Sequence, residues 1–83
     1  MEDLMQWTDH IHADPAILGG KPVVKGTRLA VDFVLGLFAA GWTREQLLTE
    51  YPQLSDEAIR AVFAFAADTL HDHTLLRVRP GAA

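Results

Sequence analysis

Lys21, Lys25 and Arg28 fall within eight residues, interleaved with Thr27 and the small residues Gly20 and Gly26. Clustered cations neutralise phosphates, and phosphate contacts dominate nucleic-acid affinity. A hydroxyl adds a donor, glycines let the backbone come close, and strand ribbons are known to enter DNA grooves. Lys21, Lys25, Thr27 and Arg28 are therefore candidate nucleic-acid contacts, joined by Arg60 further along. Two plainer readings stand beside this one: glycines serving turns with solvated charges around them, and contact with a protein partner. Arg77 and Arg79 flank Val78. Paired arginines suit bidentate, charge-assisted bonds to carboxylates, so these two are candidate contacts to an acidic partner, against the alternative of a solvated tail.

The four histidines occur as His10-Ile11-His12 and His71-Asp72-His73. Residues i and i+2 share a face on a strand, so the first pair has the spacing of metal ligands. No cysteine accompanies either pair, and surface histidines that titrate near neutrality are the better reading. Ser55 and the threonines fall at caps and turns, and no glycine-rich phosphate loop follows a long strand. A small-molecule pocket would also consume much of so small a core. The expectation is a protein that is not an enzyme and carries no metal or cofactor.

The elements that must position these residues follow from periodicity and punctuation. Trp7 to His12 reads as an entry segment, a short strand in which His10 and His12 share a face. Asp14-Pro15 opens a single helical turn to Leu18, which Gly19-Gly20 stops. Val23-Val24 and Thr27-Leu29 flank Lys25-Gly26, the spacing of a two-residue hairpin of the type I′ class, with Pro22 at a strand start. A helix runs from Val31 to Ala40 and stops at Gly41. Thr43-Arg-Glu-Gln46 is a capping box opening a helix to Glu50, with Leu47 and Leu48 inward. Tyr51-Pro52 breaks the chain, and Ser55 caps a longer helix to about His71. Ile59, Val62, Phe63, Ala66 and Leu70 form its expected buried stripe, with Ala58 and Phe65 at the edge. Leu75 to Arg79 has the alternation of a late strand.

The helices from Thr43 and Ser55 have the spacing of a helix-turn-helix, whose second helix reads base edges from its early turns. Those turns carry Asp56, Glu57 and Arg60. Two acids would repel phosphates and no Asn, Gln or Lys is present to read a base, so packing or interface duty is the stronger reading for this helix.

Eighty-three residues without cysteine make one domain near the lower limit for an unstapled core. The core is expected over residues 8–72, with 73–83 as a flexible or strand-like tail. A net charge of −4 excludes bulk basic attraction to nucleic acid. The acidic start of the chain is unlike a signal peptide, and the longest apolar run, Phe33 to Ala40, is too short to span a membrane. The expected location is the cytoplasm. The helix Val31 to Ala40 is apolar on nearly every side: Val31, Val34, Leu35 and Phe38 form one stripe, Phe33 and Leu37 a second. Such a helix wants cover all round, which a short chain gains by pairing. Val31, Phe33, Val34, Leu37 and Phe38 are thus candidate homodimer contacts.

The run Asp14-Pro-Ala-Ile-Leu-Gly-Gly-Lys-Pro-Val-Val-Lys-Gly-Thr-Arg28, with Gly41-Trp-Thr43, Tyr51-Pro-Gln-Leu-Ser55 and the Ala-rich helix after it, resembles the domain-of-unknown-function family 433. The likeness covers roughly residues 8–72. It implies a mainly α fold: a homeodomain-like three-helix bundle of helix-turn-helix type, preceded by an N-terminal β-hairpin. It also implies an antitoxin-like role, binding and neutralising a PIN-like nuclease toxin, with DNA autoregulation beside it. The alternatives from the residues are a homodimeric DNA-binding regulator and a structural interaction module without a toxin partner.

Overall fold

The structure, a computed structural model, describes residues 6–73. A 3₁₀ turn, Trp7–Asp9, leads into strand β1, Ile11–Ala13. A second 3₁₀ turn, Leu18–Gly20, precedes strand β2, Pro22–Val24. Three helices follow: α1, Val31–Ala39; α2, Arg44–Glu50; and α3, Asp56–His73. The expected mainly α architecture, three helices behind a two-stranded antiparallel hairpin, is what the chain adopts. The late strand expected at Leu75 to Arg79 lies outside the described residues.

The hairpin is built from different strands than the local spacing suggests. β2 pairs with β1, Ile11 opposite Val24, His12 opposite Val23 and Ala13 opposite Pro22. The piece Thr27-Leu29 returns beside β2 only as a bridge between Val23 and Ala30, with the Val24 N–H donating to the Leu29 carbonyl at 3.0 Å. A turn does fall at Lys25-Gly26, closed by the Thr27 N–H on the Val24 carbonyl at 3.0 Å. A type I′ turn needs positive φ at both central residues. Here Gly26 has φ 81° and Lys25 is not in the left-handed region, which is the type II pattern. The single turn expected from Pro15 forms, the Ile17 N–H donating to the Asp14 carbonyl at 2.8 Å. Asp14 caps it with Oδ1 accepting from the Ala16 N–H at 2.9 Å, and the 3₁₀ turn Leu18–Gly20 follows. Leu18 itself sits at φ 50°, a left-handed conformation that costs a side-chain-bearing residue about 1–2 kcal/mol.

The helix boundaries follow local chemistry closely. α1 ends in a Schellman motif: Gly41 at φ 99° lets its N–H reach the Phe38 carbonyl and that of Trp42 the Leu37 carbonyl, both at 3.0 Å. Thr43 and Gln46 cap α2 reciprocally, the Gln46 N–H donating to Thr43 Oγ1 at 3.1 Å and the Thr43 N–H to Gln46 Oε1 at 2.8 Å. Ser55 Oγ accepts from the Ala58 N–H at 3.0 Å and opens α3. Thr43→Ala removes the acceptor for one helix-end donor and should lower stability by about 1 kcal/mol, with Thr43→Ser near neutral. Thermal melts of the two variants check this, and equal midpoints would refute it.

Ile11, Val24, Val31, Val34, Leu47, Leu54, Ala58, Ile59, Ala61 and Val62 make one buried cluster, drawn from the hairpin and all three helices. Trp7 clasps the chain's start to the far end of α3. Its Nε1–H donates to Asp68 Oδ2 at 2.7 Å, and its ring meets Phe65 edge-on at 4.8 Å. The α3 stripe expected to run on through Phe63 and Leu70 stops at Val62; those two side chains are 43% and 54% exposed. α1 is not covered on every side either. Val31 and Val34 are buried, while Asp32, Phe33, Gly36 and Ala39 face out.

Candidate interaction surfaces

The basic cluster around the turn is only partly free to bind. Lys21 Nζ lies 3.1 Å from Asp32 Oδ2 at an exposed site, so its charge is already met from the first turn of α1. The Thr27 hydroxyl donates to the Val24 carbonyl at 2.8 Å and accepts from the Leu29 N–H at 2.9 Å. That side chain holds the turn between β2 and α1 and has no proton left to donate, which corrects its place among the nucleic-acid contacts. Lys21 stays exposed, its pairing with Asp32 being a weak surface contact. Lys25 and Arg28 flank the turn, exposed and without an ionic partner among the described residues. Arg60 is exposed on α3. Arg77 and Arg79 lie outside the described residues.

The α2–α3 pair presents an acidic exterior. Arg44 Nη1 bonds Asp56 Oδ1 at 3.0 Å, tying the start of α2 to the start of α3 and spending one of the few cations there. Glu45, Glu50 and Glu57 are exposed and make no ion pair among the described residues. Trp42, Glu45, Gln46, Thr49 and Glu50 line a shallow cleft of about 300 Å³ on the outer face of α2. The half-buried Trp42 ring stands 6.4 Å from Tyr51, which meets Phe33 edge-on at 6.0 Å. Sequence reasoning missed this surface. Its signal was present as Trp42 followed by polar residues at positions +3, +4, +7 and +8, which is one continuous helix face.

A second, more apolar groove of about 290 Å³ opens between the start of α1 and the later turns of α3. Val31, Leu35, Phe65, Ala66 and Leu70 contribute apolar walls, with Lys21 and Asp32 at its edge. Of the five candidate dimer residues on α1, Val31 and Val34 are spent in the core of their own chain, at 4% and 0% exposure. They have no surface to give a second subunit. Phe33 is 43% exposed, and Leu37 and Phe38 are partly buried against the core, Phe38 with its ring 5.2 Å from Phe63.

The histidines do not converge on a metal site: no group of three or more His, Cys, Asp or Glu is gathered among the described residues. His12 is half-buried on β1, and its Nε2 is enclosed without a hydrogen-bond partner among the described residues. No helix among the described residues is long and apolar enough to cross a membrane.

A family model described as "Protein of unknown function (DUF433)" matches residues 11–66. An uncharacterized protein of Sinorhizobium fredii is 39% identical over 66 residues, which is 80% of this chain and 30% of that protein. The crystal structure of a DUF433 member protein from Anabaena variabilis superposes with a TM-score of 0.69 at 24% identity, over 75% of this chain and 61% of the other. The chain thus spans under a third of the curated relative and about three-fifths of the solved one. The structural likeness is one of fold.

Proposed function

The chain belongs to the DUF433 family, and from that premise we propose that it is the antitoxin-like member of a regulatory pair, silencing a nuclease partner by binding it. The observation that carries this reading is the acidic exterior of the α2–α3 pair. Glu45, Glu50 and Glu57 face solvent without cationic partners among the described residues, where a DNA reader would present cations and amides. A nuclease must offer a basic surface to its substrate's phosphates. An acidic, aromatic-floored face is complementary to such a surface and repelled by the nucleic acid itself, and charge complementarity of this kind chiefly sets encounter rate and partner choice. The trihelical shape then serves as a scaffold for a surface suited to a protein partner.

The test is coexpression with the product of the adjacent gene. That product alone should arrest growth, and both together should restore it and copurify. Growth unaffected by the neighbour alone would refute the pairing. A second reading, a plain DNA-binding regulator, rests on Lys25 and Arg28, the two cations the turn leaves free. Retardation of DNA by the isolated protein, steeply weakened by salt and lost on changing both residues to alanine, would transfer the function to that reading.

A further inference from the structure

Helix α3 has 18 residues, about 27 Å of rise, but its buried positions end at Val62. Phe63, Ala67, Asp68, Thr69, Leu70 and His71 are all exposed. A helix extension is held mainly by packing of an apolar face. Here Trp7 covers the side bearing Phe65 and Asp68, and Phe38 packs a tilted ring 5.2 Å from that of Phe63, which still leaves Phe63 43% exposed. The remaining side carries Phe63, Ala66, Ala67 and Leu70 at spacings of three, one and three, a single helical stripe. It borders the apolar groove beside α1, with Ala66 and Leu70 belonging to both.

The order of sizes along this stripe is large, small, small, large. That order reads the same in both directions, so a second α3 laid antiparallel across it meets its own complement. Phe63 falls opposite Leu70 of the other copy, and Ala66 opposite Ala67, where the small side chains let the two backbones approach. A two-fold contact requires this kind of self-matching patch. No ionisable side chain stands in the stripe, so closing it buries no charge despite the net charge of −4 on each copy.

We infer that the protein forms a two-fold homodimer through the second half of α3, with Phe63 of each copy seated against Leu70 of the other. This contact is separate from the acidic α2 face and does not depend on the antitoxin reading. It also differs from the α1 interface that the sequence suggests, because α1 spends Val31 and Val34 on its own core. Two large and two small side chains make a contact smaller than the roughly 800 Å² per partner of ordinary stable interfaces, so monomer and dimer exchange with concentration.

The experiment measures the mass of the full chain by light scattering and sedimentation across a range of concentrations. The wild type should pass from monomer to dimer as concentration rises. Phe63→Lys and Leu70→Glu, both at exposed positions, should each stay monomeric with unchanged helix content by circular dichroism. Mixing the two variants should restore dimer, since one copy's lysine then faces the other's glutamate while the opposite Phe63–Leu70 contact is intact. A wild type monomeric at the highest concentrations, or single variants that dimerise as it does, would overturn the interface. A mixture that stays monomeric would overturn the antiparallel register.

Discussion

Leu47→Ala is expected to leave the domain barely folded at 37 °C. Leu47 is fully enclosed, in a cluster shared with Val34, Leu54 and Ile59. Deleting three buried carbons costs about 2–5 kcal/mol, the spread reflecting how far neighbours collapse into the void. A chain of this length has a total stability of only about 4–12 kcal/mol. The loss is amplified because Leu47 is the only fully buried side chain on the seven-residue α2, and a helix so short does not persist without tertiary packing. At about 4–8 °C per kcal/mol for a domain this small, the melting midpoint should fall by roughly 10–30 °C. Leu48→Ala, one position on and only partly buried, serves as the control and should fall much less. Equal midpoints for the two variants would mean that the core is not organised around Leu47.

Features set by near neighbours in the chain were legible beforehand, and those set by distant ones were not. The Thr43–Gln46 box, the Ser55 cap and the Gly41 stop each depend on a few consecutive residues, and all three form. The partner of β2 is a segment paired as far apart as Ile11 and Val24. Turn chemistry pointed to Thr27-Leu29, but burying Ile11 opposite Val24 in the common core selects β1. Periodicity on α3 announced an apolar face and said nothing of its cover: among the described residues, the stripe continues past Val62 with Phe63 and Leu70 exposed. The basic cluster was legible in composition but not in its internal bonds. Residue type marked Lys21 and Thr27 as donors, but only the folded geometry shows the first set against Asp32 and the second spent on its own turn. The acidic exterior was readable as composition, and Trp42 with its flanking glutamates became a surface only when α2 placed them side by side.

Replacing Glu45, Glu50 and Glu57 together with lysine should abolish neutralisation of the partner while leaving the fold in place. All three are exposed, and none makes a hydrogen bond or ion pair among the described residues, so packing is untouched. The cost to stability is confined to the first turns of α2 and α3, where a cation opposes the helix dipole by about 0.3–1 kcal/mol per site. Each exchange moves the charge by two, taking the chain from −4 to +2. If the acidic face recognises a basic nuclease surface, the variant presents repulsion where the wild type presents attraction, and like-charge contact at an interface costs several kcal/mol. Growth rescue should be lost, and copurification with it. The wild-type complex should weaken as salt rises, since exposed charges are screened beyond about 8–10 Å at ordinary ionic strength. The variant should also gain weak, salt-sensitive retention on DNA, because its net charge has then been inverted. The Leu70→Glu chain, monomeric but with its glutamates intact, separates this effect from self-association. Rescue by the triple-lysine chain equal to that of the wild type would place the partner contact elsewhere on the molecule.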